Sequence, residues 1–249
     1  MEGNDLSAIV TVLMSAVQGN GAKYVATNLA TEVKRKENEK KVLLVDFDFE
    51  NPFLAHAFIK HDEVHGIDNL INNITDDGLS DELFLEDMIQ TKMGVDVLRG
   101  TRFIEKVKMF SKQHIQVILE KAKQHYHYVF IVVNAKANNA GTIVSLMEAD
   151  KVLMVLRNNY ANLLKVERVL KLIKQYSTVE TVHVAFNFKN LNSKLDINEK
   201  FENYNVVVLE VLEYDEKSID NLNLEKKESV FSKSMNSKAI NKMTKLLFE

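Results

Sequence analysis

Short, almost continuously apolar runs alternate along the chain with longer segments whose apolar residues recur every three or four positions. The runs contain many Val, Ile and Leu residues and little polar alternation, which is typical of strands covered on both faces of a sheet. They are AIVTVLM (8–14), KVLLVDF (41–47), VDVL (95–98), YVFIVV (128–133), KVLMVL (151–156), TVHVAF (181–186) and VVVLEV (206–211).

The segments between the runs have the periodicity of amphipathic helices, most clearly at 103–124 and 162–176. In the second segment one helical face carries Leu163, Val166, Val169, Leu170 and Ile173. Strands that alternate with helices favour right-handed βαβ crossovers. The pattern therefore predicts a single α/β domain over residues 1–249, with a mostly parallel, doubly wound sheet of about seven strands and helices on both faces.

The amino-acid composition and the net charge exclude several classes of function. Hydrophobic residues make up 46% of the chain and charged residues 27%, as in soluble globular proteins. The chain has no cysteine, which excludes disulfides, iron–sulfur clusters and thiol catalysis. A formal net charge of −3 gives no overall attraction to nucleic acid. The polar start MEGNDLS and the absence of a long apolar run lead us to expect a soluble cytoplasmic protein without a transmembrane segment.

In a doubly wound sheet, ligands bind beyond the carboxyl ends of the strands. After the first run, Gly19 and Gly21 allow a turn whose backbone N–H groups cradle phosphate at a helix start, although an ordinary glycine turn fits equally well. At the end of the second run, Asp46 and Asp48 share one face of a strand. Such a pair suits the hydration shell of Mg²⁺ or an attacking water, and a solvated acidic turn is the alternative.

The loop and the acidic pair together resemble the ParA/MinD superfamily of deviant Walker-A ATPases, a class of P-loop NTPases. The stretch VATNLA (25–30) matches the family's continuation of the loop, and KVLLVDFDFENP (41–52) matches its second motif. Further similar stretches follow in the family's order: HGIDNLI (65–71), GVDVLRG (94–100), YHYVFIVV (126–133), DKVLMVLRNNYANLLKVERVLKLI (150–173), VHVAFNFKN (182–190), VLEYDEKSIDN (211–221) and SKAINKMTKLLF (237–248).

The resemblance implies an ATP or ADP site, with Mg²⁺ held near Asp46 and Asp48 and with adenine contacted by Asn187. It also implies protein partners in a localisation or assembly machine, and a homodimer. The loop residues that it places around the nucleotide are Gly19, Asn20, Gly21, Ala22, Lys23 and Tyr24. Among its branches, the CpaE/TadZ pilus-localisation type is the most similar, because some of its members also carry alanine at the Walker lysine.

The chain departs from the family at the residues that carry phosphoryl transfer. Val17 replaces the signature lysine, Ala22 the Walker lysine, and Lys23 the Mg²⁺-binding hydroxyl. The fourth run ends in Val133 and Asn134, where the family has a Walker-B aspartate. Phosphoryl transfer depends on electrostatic stabilisation by such groups. We therefore expect a pseudo-ATPase that keeps only Asp48 of the catalytic set, and the departures argue against bound Mg²⁺.

Lys23 is the most unusual of these replacements. Its ammonium group falls where the family places a metal ligand, close to where Asp46 and Asp48 project. One hypothesis is that the ammonium group pairs with these carboxylates and takes the place of the metal ion. The alternative is a lysine that points into solvent at the start of a helix.

Three functional interpretations follow. The first is a weak or non-hydrolysing nucleotide binder that positions or assembles a pilus, a secretion or conjugation apparatus, or a plasmid. The second is a slow but genuine partition ATPase with a rearranged loop. The third is a DNA-binding accessory factor that uses the lysines of 217–234. The final helix, with Ile240, Met243, Leu246 and Leu247 on its apolar side, is predicted to pack on the sheet rather than on a membrane.

Overall fold

In the part of the chain that the structure describes, eight strands form one sheet. The structure is a computed structural model that describes residues 7–58, 64–188, 198–216 and 235–249. The strands are β1 (Ile9–Ser15), β2 (Val42–Phe47), β3 (Ile89–Gln90), β4 (Val95–Leu98), β5 (Tyr128–Val133), β6 (Lys151–Leu156), β7 (Val182–Phe186) and β8 (Val206–Val211).

The strand order is β3-β4-β2-β5-β1-β6-β7-β8. All neighbouring pairs are parallel except β3 and β4. The predicted mostly parallel, doubly wound sheet is therefore confirmed. Because β2, β5, β1 and β6 are adjacent and run in the same direction, the loops that follow these four strands meet at one edge of the sheet.

Helices cover both faces of the sheet. The α-helices are α1 (Ala22–Lys36), α2 (Ile67–Asn73), α3 (Asp81–Glu86), α4 (Lys112–His125), α5 (Ala140–Met147), α6 (Tyr160–Tyr176) and α7 (Ser237–Phe248), and 3₁₀ turns span Leu54–Ala57, Ile104–Met109 and Asn198–Phe201. One core cluster joins α1 and α7 to one face, and the other joins α2, α4, α5 and α6 to the opposite face. β1, β2, β5 and β6 read as apolar runs because both faces of the sheet are buried there, whereas β8 at the edge leaves Val207 and Val208 exposed.

The predicted strands lie where the apolar runs indicated, with bounds that agree to within one residue at each end. β3 was missed, because an antiparallel strand of two residues is too short to show a pattern. The long helix predicted over 103–124 was wrong: the chain forms a 3₁₀ turn and then α4. The break occurs because Phe110 is extended and buried, and because Ser111 Oγ caps the new helix by accepting the His114 N–H at 3.1 Å.

α7 packs against α1 and β8, and its buried residues include Ile240, Met243 and Leu247. Leu246, which was predicted on the same side, is 55% exposed because it lies off the stripe that these three residues form. The basic segment 217–234 lies outside the described residues. No helix in the described part of the chain is both long enough and apolar enough to cross a membrane.

Met243 and Leu246 give a matched test of how α7 packs. Met243 has 0% of its surface exposed, so Met243→Ala leaves a cavity and is expected to lower the free energy of unfolding by about 2–5 kcal/mol. Leu246→Ala removes a solvent-exposed side chain and is expected to change it by less than about 0.5 kcal/mol. Urea denaturation monitored by circular dichroism measures both values. Equal losses of stability in the two variants would contradict the burial of Met243 and the exposure of Leu246.

Candidate functional site

Two glycines shape the loop between β1 and α1. Gly19 and Gly21 have positive φ angles of 83° and 95°, which side chains other than glycine rarely adopt. A Cβ atom on Gly21 would lie 2.3 Å from Asn187 Nδ2, whereas a Cβ atom on Gly19 would meet no atom within 4 Å. α1 begins directly after Gly21, and no side chain caps its first turn. The start of α1 therefore provides backbone N–H groups of the kind that bind anions.

A network of buried asparagines supports this loop from the β6 and β7 side. Asn20 Nδ2 donates to Asn162 Oδ1 at 2.7 Å and to the Val155 carbonyl at 3.1 Å. Asn187 Nδ2 donates to the Asn20 carbonyl at 2.8 Å, and Asn187 Oδ1 accepts the Phe188 N–H. The structure thus uses the side chains of Asn20 and Asn187 to hold the loop.

Lys23 is drawn into the chain rather than into solvent. Its Nζ lies 3.0 Å from Asp48 Oδ2 and 3.6 Å from Asp46 Oδ1, and it also donates to the Asn51 carbonyl. These three acceptors belong to the end of β2 and the loop that follows it. The ammonium group therefore links the first turn of α1 to Asp46 and Asp48 at the end of β2 and to the loop that follows.

Asp46 is completely buried, and its carboxylate is held by two backbone groups. Oδ2 accepts the Leu54 N–H at 2.8 Å and Oδ1 accepts the Asp48 N–H at 3.2 Å. Burial raises the pKa of Asp46 from 3.8 to about 6, while the nearby Lys23 charge and these hydrogen bonds act in the opposite direction. The Lys23 ammonium group is thus a principal reason why this buried carboxyl group ionises near neutral pH.

The carboxylate oxygens of Asp46 and Asp48 are mostly occupied within the chain. Both oxygens of Asp46 accept backbone N–H groups, and Asp48 Oδ2 faces Lys23. Of these four oxygens, Asp48 Oδ1 alone is buried without a hydrogen-bond partner among the described residues. Mg²⁺ at phosphate sites is commonly held by one or two carboxylates together with waters and phosphate oxygens. Lys23 thus stands where such an ion would contact Asp48 Oδ2, and Asp48 Oδ1 is the one oxygen of the pair left for a cation.

A cavity of about 490 Å³ opens between the loops that follow β1, β2 and β5. Of the predicted site residues, it is lined by Gly19, Gly21, Ala22, Lys23 and Asp48. Asn20, Asn187 and Asp46 are not among its lining residues, and their side chains bond within the chain. The structure therefore brings the glycine loop, Lys23 and Asp48 to one cavity.

Tyr24 also points elsewhere. Its hydroxyl group lies 3.4 Å from Asp215 Oδ2 and accepts a hydrogen bond from Asn236 Nδ2 at 3.2 Å. Tyr24 is not among the residues that line the cavity. Its role in the structure is to join the first turn of α1 to the segments that follow β8 and precede α7.

Two exposed cations at the rim of the cavity were missed from the sequence. Lys165 and Arg168 of α6 both line the cavity, and neither makes an ion pair in the described part of the chain. By contrast, Lys136 is paired with Glu50 at 2.8 Å. The i, i+3 spacing of Lys165 and Arg168 on the polar side of the helix after β6 was the available signal. These residues give the mouth of the cavity an excess of positive charge.

Asn134 occupies the end of β5, where the resemblance led us to look for an acid. Its Oδ1 accepts the Lys136 N–H and the Thr142 hydroxyl, each at 3.1 Å. Its Nδ2 is buried and has no hydrogen-bond partner among the described residues. Asn134 lines the cavity, so the wall there carries a neutral amide residue in place of an acid.

Replacing each of the two loop glycines by alanine is expected to lower the free energy of unfolding by a different amount. Gly19→Ala should lower the free energy of unfolding by about 1–2 kcal/mol, because alanine is strained at positive φ but has open space there. Gly21→Ala carries the same strain, and it must also displace Asn187, so we expect a loss of about 3 kcal/mol or more. Chemical denaturation of both variants measures the difference. Similar losses of stability in the two variants would show that Asn187 does not restrict the space beside Gly21.

The buried carboxyl group of Asp46 is expected to make the free energy of unfolding depend on pH. Because its folded pKa of about 6 exceeds its ordinary 3.8, the folded state retains a proton that the unfolded state releases, so stability falls as pH rises through this window. We expect the stability of Asp46→Asn, relative to the wild type, to increase by about 2 kcal/mol between pH 4 and pH 7. Urea denaturation across this range measures that difference.

Glu50 gives a control with the opposite sign. Hydrogen bonds from Lys136 and Asn138 lower the pKa of Glu50, so its ionised form stabilises the folded state as pH rises. Glu50→Gln should therefore lose relative stability over the same range. A flat difference curve for Asp46→Asn would contradict the burial of its charge.

No family model and no curated protein matches the sequence. Solved structures do match it. The ParA family ATPase from Chlorobium tepidum TLS is 20% identical with a TM-score of 0.82, over 97% of this chain and 99% of that chain. A chain of the MinC:MinD cell division protein complex from Aquifex aeolicus is 17% identical with a TM-score of 0.72, over 96% of each chain.

A plasmid partition protein from Borrelia burgdorferi B31, solved bound to AMPPNP, is 13% identical with a TM-score of 0.71. The match covers 97% of this chain and 98% of that chain. These likenesses extend over nearly the whole length of each protein. The chain therefore has the fold of the ParA and MinD ATPases, as the sequence resemblance implied.

Proposed function

We propose that the chain is a ParA/MinD-like positioning or assembly protein that binds ATP or ADP weakly, without Mg²⁺, and hydrolyses little or none of it. One observation carries this proposal: the Lys23 ammonium group lies against Asp48, Asp46 and the Asn51 carbonyl. The proposed role extends to a pilus, a secretion or conjugation apparatus, or a plasmid, with the CpaE/TadZ branch as the expected relative.

The chemistry of Lys23 explains why hydrolysis is not expected. A lysine ammonium group has three donors and no vacant coordination position. Here its surroundings are Asp48 Oδ2, the Asn51 carbonyl and, at 3.6 Å, Asp46 Oδ1. It therefore offsets part of the carboxylate charge, but it cannot also bridge phosphate oxygens as a metal ion does. Without that bridge, and with Ala22 at the Walker position, charge that develops during phosphoryl transfer lacks its main stabilisation.

Weak binding of a nucleotide remains compatible with the cavity. The start of α1 provides N–H donors for phosphate. Lys165 and Arg168 add positive charge at the rim that no acid of the described segments pairs with. The partition protein from Borrelia burgdorferi was solved with AMPPNP, which supports a nucleotide as the ligand of this fold.

Partners are expected to act together with this site. The matched Aquifex aeolicus structure is a MinC:MinD complex, which supports a role that depends on binding other proteins. We also propose a homodimer. Because Val17 stands where the family has its signature lysine, this dimer would not depend on a nucleotide shared between subunits. Recruitment to a membrane or to the nucleoid would then follow from the partners.

The slow-ATPase interpretation requires Lys23 to contact phosphate after a local rearrangement of the loop. In the structure the Lys23 ammonium group faces the carboxylates instead, and the loop is anchored by Asn20 and Asn187. We therefore rank this interpretation second. The DNA-binding interpretation depended on 217–234, which lies outside the described residues, and stays a prediction.

Calorimetric titration with ATP, in excess Mg²⁺ and in EDTA, tests the proposal. We expect the affinity of the wild type to change by less than about twofold between the two conditions, because the Lys23 ammonium group already occupies the position beside the carboxylates. Lys23→Thr frees Asp48 Oδ2 and adds a hydroxyl group, so binding to it should become at least about tenfold tighter with Mg²⁺ than with EDTA. Lys165→Thr removes a rim cation that does not touch the carboxylates, and it should stay insensitive to Mg²⁺.

Two results would contradict the proposal. One is wild-type binding that depends strongly on Mg²⁺, which would mean that Lys23 leaves the carboxylates. The other is single-turnover ATP hydrolysis that Asp48→Ala abolishes, which would establish the slow ATPase. Thermal unfolding of each variant, measured first, separates loss of binding from loss of folding.

A further inference from the structure

The turn between β4 and α4 is firmly attached to the body of the protein. The Thr101 hydroxyl donates to Asp68 Oδ1 at 2.6 Å, and the Arg102 N–H donates to Asp68 Oδ2 at 2.9 Å. Val107 packs against the core, and Phe110 is buried. The 3₁₀ turn Ile104–Met109 is thus held at both ends and by its inner face.

The outer side of this turn exposes large apolar side chains. Met109 is 71% exposed, Ile104 59% and Phe103 37%. With three residues per turn, a 3₁₀ helix places Phe103, Lys106 and Met109 in one row. Contiguous exposed apolar side chains in a well-anchored segment are typical of an interaction surface.

The same surface carries unbalanced positive charge. Lys106, Lys108 and Lys112 make no ion pair in the part of the chain that the structure describes, and Lys106 Nζ lies 4.4 Å from the centroid of the Phe103 ring. Glu105 is the one acid in the 3₁₀ turn. Lys112 is the first residue of α4, where the helix dipole disfavours a cation, so helix stability does not explain it. This charge contrasts with the net charge of −3 of the whole chain.

We propose that this basic apolar patch, consisting of Phe103, Ile104, Lys106, Lys108, Met109 and Lys112, docks onto an anionic lipid surface. The three apolar side chains enter the boundary between headgroups and acyl chains, and the lysines contact the anionic headgroups. The side chains project outward instead of lining a groove, which suits a broad soft surface better than a folded segment of another protein. Nucleic acid would use the lysines but would leave Ile104 and Met109 in water.

The position of the patch relates it to the cavity without depending on the proposed function. Gly100, which leads into the patch, packs so closely that a Cβ atom there would lie 2.7 Å from the Asp46 carbonyl and 2.8 Å from Pro52 Cβ. The patch and the cavity therefore belong to the same edge of the sheet. Lipid binding by the patch requires neither a nucleotide nor Lys23.

Vesicle flotation of the full chain tests the proposal. Wild type should float with vesicles that contain phosphatidylglycerol and should not float with pure phosphatidylcholine vesicles. The double variant Ile104→Ser/Met109→Ser should bind at least about tenfold more weakly. Lys108→Gln should bind about fivefold more weakly, and added salt should weaken the wild type.

Matched controls keep the result specific to the patch. Leu164→Ser removes an equally exposed apolar side chain from α6, and Lys174→Gln removes an exposed lysine from the same helix, so both should bind as the wild type does. All of these changes lie at the surface, and thermal unfolding should confirm that every variant is folded. DNA gel shifts and pull-downs with an acidic peptide run in parallel.

Three outcomes would overturn the proposal. The first is equal flotation with anionic and neutral vesicles, or no flotation with either. The second is wild-type affinity in the Ile104→Ser/Met109→Ser variant. The third is binding to DNA or to the acidic peptide that needs the patch lysines while vesicles are ignored, because it would assign the patch to that partner.

Discussion

The contact between Lys23 and the carboxylates of Asp46 and Asp48 determines how the rest of the site is arranged. Asp46 has no solvent contact, and an isolated buried carboxylate is costly, so its charge depends on the ammonium group beside it. Because Lys23 belongs to the first turn of α1 and its partners belong to β2, the pair fixes the glycine loop against the second motif. The Lys23 ammonium group thereby contributes to both the charge and the shape of the cavity.

The sheet order brings these groups together and allows further connections between the loops. β2, β5 and β1 are neighbours, so the loops after them lie side by side. Gln18 Nε2 donates to Asn51 Oδ1 at 2.7 Å, which joins the first loop to the second. Lys136 and Glu50 join the third loop to the second. The three loops therefore support one another through contacts between their own side chains.

The sequence predicts the sheet well, because strands buried on both faces appear as apolar runs whatever their tertiary contacts. It also locates the cavity, because polar residues follow those runs at one edge. It does not predict the direction of an amide side chain: Asn20 and Asn187 were expected around a nucleotide, but they bond inward, since only packing decides between the two arrangements. Lys165 and Arg168 read as an ordinary polar helix face until the fold places them at the cavity.

A site whose positive charge comes from a lysine side chain responds differently to the concentration of Mg²⁺ from a site whose positive charge comes from a metal ion. Under the proposed function, the Lys23 ammonium group at 3.0 Å from Asp48 Oδ2 already supplies positive charge, so binding or loss of Mg²⁺ is expected to change little there. A protein that works in this way would not use a metal-bound phosphate to switch between two charge states. Such a protein would attach to its partners through surfaces that do not depend on bound Mg²⁺ or nucleotide. The basic apolar patch fits this description, because it is anchored through Asp68 independently of Lys23. Constitutive localisation is therefore the mode of action that we propose together with this function.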